Sequence, residues 1–257
     1  MSSWLKSVKV YAKPKQTIPF YYDISNTTEV ARTFLELLGA FIYSKKMNER
    51  CVIYDPNEFI SLALMSHPSI KTVKVAPENS NMLSIKTFRD ITANMKYSEM
   101  KSYAADIFKY DSLFNQSIID VLQKASIRAP FDMAIHITMD ASGANLPFYV
   151  SAVKEYQKRT KKATLNIYVM TGSYETVTQF QALCDPSWKL TSLSKFPPTD
   201  GAAALFQQLA EVQIFAVVPA AVLNFQYPLD RFMHIMHRNA KGYDYFKELN
   251  GAEWILV

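Results

Sequence analysis

The residues of this chain best placed to do chemistry lie in one short run, His136-Ile137-Thr138-Met139-Asp140. His136 and Asp140 stand near the carboxyl end of a predicted strand, where open α/β sheets place their ligands. An imidazole and a carboxylate there can exchange protons or bind polar groups, while the Thr138 hydroxyl between them offers a neutral hydrogen bond and no charge. A second run, Thr171-Gly172-Ser173, closes the next predicted strand and can receive an anion at the N-terminus of the helix that follows. The same residues also serve as a plain helix cap. His234 and His237 are three apart on a predicted helix and share a face, but a metal site requires a third ligand at a known spacing and the sequence supplies none nearby. His67, before Pro68, reads as a turn residue. The GxSxG elbow, the GxxxxGK[ST] loop and the HExxH motif do not occur, so hydrolase, P-loop and zincin chemistries have no footing.

The elements that must hold these residues alternate between strand and helix. Ile18 to Tyr22 reads as a strand, and a helix capped at Asn26, with Glu29 three residues on, runs to about Lys46 with Val30, Phe34, Leu37, Leu38 and Phe41 on one face. Cys51–Tyr54 is a strand stopped by Asp55-Pro56, Glu58–Met65 a helix, and Thr72–Val75 a strand. Residues 84–125 are helical in pattern, with Tyr97–Tyr110 and Phe114–Gln123 the clearest pieces. The alternation restarts with a strand over Asp132–Met139, a loop over Asp140–Pro147, a helix over Phe148–Arg159, a strand over Leu165–Met170 and a helix over Tyr174–Leu183. Strands over Trp188–Leu193 and Ile214–Val218 and helices over Asp200–Gln213 and Leu229–Arg238 complete it. Such alternation argues for parallel sheets covered by helices.

Composition narrows the function classes. The chain has 257 residues, 49% hydrophobic and 20% charged, enough to bury a sizeable core. It holds 15 Tyr and 16 Phe but only 6 Gly, so it can form few of the Gly-rich turns by which backbone approaches phosphate. The net charge of +5 is spread along the chain, and its densest cluster, Lys158-Arg159-Thr160-Lys161-Lys162, falls where a helix ends and opposes the helix dipole. Nucleic acid is therefore not an expected partner. Cys51 and Cys184 form no CxxC pair and no disulfide framework, which fits a reducing compartment. Met1–Lys15 lacks the apolar segment of a signal peptide, and the longest apolar stretch, Val212–Phe225, is too short to span a bilayer.

Three segments carry a resemblance. Asn26–Asp55, a turn leading into a long helix and then a strand ending in Asp, resembles the start of the first Rossmann-like domain of fucosyltransferase-like GT-B glycosyltransferases. Phe131–Ile137 is similar to the strand that bears their HxRxGD signature, Tyr149–Tyr156 to the helix after it, and Asn166–Thr171 to the next strand. The resemblance implies an α/β fold of two Rossmann-like halves with parallel sheets. It divides the chain into an N-terminal half (1–83), a helical connector (84–130) and a donor-domain-like half (131–257). In the active family the signature Arg sits on the β-phosphate of a nucleotide sugar, where a planar cation makes paired, charge-assisted bonds as the leaving group departs. Here Thr138 stands at the Arg position and Met139 at the Gly position. Val218-Pro219-Ala220-Ala221 stands where a Ser-rich segment should also hold the diphosphate.

Loss of that cation lowers a transfer rate by about a thousandfold. The expectation is therefore a non-catalytic glycosyltransferase-like protein with no catalytic residues, no cofactor and no metal. His136, Thr138, Asp140, Thr171 and Ser173 are its candidate nucleotide-sugar contacts. Residues 155–162 also resemble glycosyltransferase-related proteins of large DNA viruses. That implies a structural or assembly role, as a minor capsid protein, with other proteins such as capsid proteins as partners and a location in the host cytoplasm or the virion. The alternative is an active fucosyltransferase-like enzyme using a nucleotide-sugar donor, with Arg128 or Lys195 supplying the missing charge. A sugar-nucleotide binding module without turnover is the third reading.

Overall fold

The computed structural model describes residues 20–23, 30–47, 51–55, 64, 70–74, 95–128, 130–138, 145–239 and 241–249. The first half is built on a parallel sheet ordered β1-β2-β3, from Phe20–Asp23, Cys51–Tyr54 and Ile70–Val73. Tyr21 pairs with Val52, and Val52 in turn with Lys71. The third strand starts two residues before the position its sequence suggests. Helix α1, Val30–Met47, buries Phe34, Leu37, Leu38 and Phe41 completely, the spacing that puts them on one face, and ends on Lys45 and Lys46. Its expected cap at Asn26 lies outside the described residues. Of the helix expected over Glu58–Met65 only Leu64 is described, and it forms an antiparallel bridge with Tyr110.

Among the described residues two helices follow, α2 (Tyr97–Ile107) and α3 (Ser112–Lys124). Asp111 starts α3 by accepting the Leu113 N–H at 2.9 Å, satisfying one of the donors that a helix leaves open.

The second half alternates β4 (Met133–His136), α4 (Leu146–Thr160), β5 (Leu165–Met170), α5 (Tyr174–Leu183), β6 (Trp188–Thr191), α6 (Gly201–Phe215), β7 (Ala220–Leu223), α7 (Pro228–Met236) and β8 (Tyr245–Glu248). Its five strands are all parallel, in the order β6-β5-β4-β7-β8. The chain winds outward from β4 in one direction and, after α6, from β7 in the other. The order therefore reverses between β4 and β7, and the crevice at their carboxyl ends is the topological switch point where such sheets bind ligands. Helix α4 begins earlier than its sequence suggests, because Asn145 caps it and Pro147 suits a first turn. Strand β6 stops at Thr191, and a 3-10 turn covers Leu193–Lys195.

One expectation is overturned. Ile214–Val218 is not a strand: α6 runs on through Phe215, and the strand is Ala220–Leu223. Nearly every residue from Leu209 to Ala216 is buried, and a fully buried helix shows the same unbroken apolar run as a buried strand. Pro219, lacking an N–H, separates the two elements. Val218-Pro219-Ala220-Ala221 therefore runs into the buried start of β7 and is not a segment facing a ligand. The residues at the carboxyl end of that strand are Asn224 to Tyr227.

The second sheet divides the core. Leu165, Ile167 and Val169 of β5 face a cluster under α4 and α5, while Tyr168 and Met170 face the one under α6 and α7. The latter cluster continues into α1, α2 and α3, so all three segments of the chain share it. Phe232 of α7 is its joint, with ring centroids 5.3 Å from both Phe34 of α1 and Phe108 beyond α2. Phe232→Ala is expected to remove about 3–5 kcal/mol of stability, read as a lower urea midpoint in a single unfolding transition.

Candidate functional site

The carboxyl ends of β4 and β7 carry a polar knot in an otherwise apolar interior. Its centre is Asp230, in the first turn of α7, which has 0% exposure. Oδ1 is hydrogen bonded to His136 Nδ1 at the end of β4, and Oδ2 accepts the backbone N–H of Asn224 at 2.6 Å. The Asn224 side chain donates from Nδ2 to Thr138 Oγ1 at 3.2 Å and accepts the Gln226 N–H at 3.1 Å. Behind it the Thr138 N–H donates to the hydroxyl of Tyr149, a fully buried residue of α4, at 3.3 Å. The Tyr227 ring stands edge-on to His136, with centroids 6.5 Å apart. One side of the knot is closed by Arg231, whose Nε donates to the Phe225 carbonyl.

A second carboxylate lies close by. Glu211 of α6 is 5% exposed and accepts the Tyr168 hydroxyl of β5 at 2.8 Å, and that hydroxyl accepts the Leu193 N–H at 3.3 Å. Burial pushes the Glu211 carboxyl up to about 7, against the lowering effects of Tyr168 and the His136 charge. Burial works to lower the His136 imidazole, but Asp230 and then Glu211 outweigh it, so His136 holds its proton more tightly than an ordinary histidine. Burial also raises the Asp230 carboxyl, opposed by His136 and by the Asn224 N–H. The hydrogen bond between Nδ1 and Oδ1 requires one proton between the two groups.

The predicted site residues part company here. The structure brings His136 and Thr138 together on the α6–α7 side of the sheet, each bound into the knot. Asp140 lies outside the described residues. Thr171 falls on the opposite face by strand alternation, 8% exposed, with no partner for Oγ1 among the described residues. Ser173 caps α5, its hydroxyl accepting the Glu175 N–H at 3.2 Å. His234 and His237 are core residues. The ring of His234 stacks on Tyr97 at 4.5 Å and burial pushes it down to about 3, while His237 Nε2 donates to the Val218 carbonyl at 2.8 Å. Among the described residues no three His, Cys, Asp or Glu side chains are placed to hold a metal, and no helix is long and apolar enough to cross a membrane. Arg128 is exposed on the segment that enters β4, at the amino end of the sheet, away from the switch point. Lys195 is exposed beyond β6 on the carboxyl side.

Asp230, Asn224 and Glu211 escape motif reading. Their signal in the sequence is weaker: Glu211 is the sole charge in the helix over 201–215, and Asp230 interrupts an apolar helix face. A charge in such a setting is paired or protonated.

Comparison with solved structures places this architecture. A fucosyltransferase NodZ from Bradyrhizobium superposes with a TM-score of 0.55 at 11% identity, over 84% of this chain and 92% of that one. A NodZ α-1,6-fucosyltransferase co-crystallised with GDP gives 0.56 at 11% identity, over 84% and 91%. A mutant of Arabidopsis thaliana FUT1 in complex with GDP gives 0.57 at 7% identity, over 85% and 68%. The fold is that of the GT-B fucosyltransferases. No family model matches the chain, and no curated protein matches it by sequence. At the switch point of this frame the described residues include a buried threonine and an imidazole bound to a carboxylate.

Asp230→Ala leaves the His136 ring and the Asn224 N–H without their acceptor in the interior. A loss of about 3–5 kcal/mol is expected, measured by urea denaturation at neutral pH against the wild type.

Proposed function

We propose that this protein is a non-catalytic member of the glycosyltransferase-like fold that works through contacts with other proteins. The observation that carries the reading is the state of Thr138. It occupies the position that the sequence resemblance gives to the phosphate-binding arginine, it is 7% exposed, and its Oγ1 and N–H are engaged with Asn224 and Tyr149. A hydroxyl brings no positive charge to a departing diphosphate, and the His136 imidazole beside it is held by Asp230. We keep the division into an N-terminal half (1–83), a connector (84–130) and a donor-domain-like half (131–257) as part of this proposal. The resemblance of residues 155–162 supports a viral assembly, with a capsid protein as the partner and the virion as the place of action.

The second reading, an active fucosyltransferase-like enzyme, draws support from two observations. Most of the chain superposes on GDP-bound fucosyltransferases, which bind the nucleotide in their own structures, and Lys195 stands on the carboxyl side of the sheet. Titration with GDP-fucose by calorimetry, with GDP release followed in parallel, separates the two. The expected result is no GDP release above the buffer rate. Turnover that disappears in Lys195→Ala would establish the enzyme, and binding without turnover would establish a sugar-nucleotide module.

A further inference from the structure

The amino end of the second sheet, opposite the switch point, carries a cavity of about 310 Å³. Its walls are Leu122 at the end of α3, Ile127 and Phe131 on the segment entering β4, and Ile214 and Val217 at the end of α6. Gln213 adds a single amide to this apolar lining. The volume is at the lower end of the range for ligand pockets, room for a large apolar anchor. Val217 is 47% exposed, and Leu122 and Ile127 are only half-buried. Apolar residues scattered singly over a surface need no account, but these share one concavity.

The charges around it are mostly of one sign. On the α3 wall, Lys124 ends the helix and Arg128 stands in the chain between the lining residues Ile127 and Phe131. On the α6 wall, the Arg238 N–H donates to the Ala216 carbonyl at 2.7 Å, next to Val217, and Lys241 follows in the same turn. Lys124, Arg128, Arg238 and Lys241 are exposed, and none of them forms an ion pair with a described residue. Of the described acids on this side, Asp132 is held by Lys162 and the Asn166 N–H. That leaves Asp244, whose N–H donates to the Pro219 carbonyl at 2.8 Å, as the opposing charge.

Helix capping does not account for these cations. Helix α3 closes itself: the N–H groups of Ile127 and Ser126 donate to the carbonyls of Leu122 and Gln123, both at 2.9 Å, with Ser126 at φ 55°. A helix C-terminus carries about half a negative charge, so the ends of α3 and α6 together offset about one cation. Asp244 offsets another, and the cavity keeps a positive surplus on both walls.

We propose that this cavity docks an acidic, amphipathic segment of a partner protein. A large apolar side chain of that segment enters between α3 and α6, and carboxylates on either side of it meet Lys124 and Arg128 on one wall and Arg238 and Lys241 on the other. Cations on two walls call for carboxylates on both sides of an apolar anchor, which a peptide supplies and a single-headed fatty acid does not. A second copy docked about a two-fold axis would set the same cations against one another. The cations steer the encounter, and burial of the anchor slows release. The inference rests on the protein-contact reading in needing a protein partner. It concerns the opposite end of the sheet from His136 and Thr138, so its test and the GDP-fucose titration can fail independently.

The test pans a random-peptide phage library on the immobilised full chain. The expected consensus sets Leu, Phe or Trp between Asp or Glu residues. A synthetic consensus peptide, followed by fluorescence anisotropy, should bind about tenfold more weakly to Arg128→Glu and to Val217→Asp, and should lose affinity as salt rises. Lys189→Glu, the same reversal on the exposed side of β6, should bind it like the wild type. Far-UV circular dichroism reports whether each variant folds, and Arg128→Glu carries the test should Val217→Asp fail to do so. A selection without an acidic consensus, binding that survives Arg128→Glu, or equal weakening by Lys189→Glu overturns the proposal. So does a chain that dimerises through Val217 in sedimentation, or one that takes decanoate but selects no peptide.

Discussion

Asp230 has no solvent contact, and both of its oxygens are used: one on the imidazole at the end of β4, the other on the first N–H after β7. One side chain therefore sets the spacing between the two strands at which the sheet changes direction. It also fixes the start of α7, the helix whose Phe232 receives α1 and the end of α2. Because a buried carboxylate is tolerated only when its lone pairs are filled, the geometry around it has little freedom. The aromatic core that joins the two halves is hung on the same helix.

That constraint decides the chemistry of the crevice. In an open α/β sheet the switch point is the place for a ligand, and an enzyme handling a diphosphate needs uncommitted positive charge there. Here the imidazole is held by a carboxylate, the hydroxyl of Thr138 is bonded to Asn224, and Glu211 adds a second acid. Among the described residues, His136, Thr138 and Asn224 there are bonded to one another or to Asp230. A GT-B frame and residues engaged in holding it are compatible, since a fold does not fix a function.

Much of the architecture was legible beforehand. The helix over 174–183 and the strand over 165–170 have the bounds their apolar patterns indicate, and the Phe34, Leu37, Leu38, Phe41 stripe is the buried face of α1. The reading failed at Ile214–Val218, where an apolar run without polar punctuation carries no period to tell helix from strand. That error displaced the ligand-facing segment by several residues and hid Asn224. Of the candidate site, His136 and Thr138 were legible because a signature strand carried them. Asp230 was not, since it is 94 residues from His136 in the chain and belongs to no motif.

The sequence by itself determined the strand and helix alternation, hence the parallel sheets, and the absence of an arginine at position 138, because these depend on local pattern and residue identity. Only the tertiary structure decided which face each polar residue takes, that Thr171 and Ser173 stand apart from His136 and Thr138, and that Asp230 holds the His136 imidazole. Those outcomes turn on burial and on contacts between distant segments, and charge becomes decisive only after folding has removed the water around it.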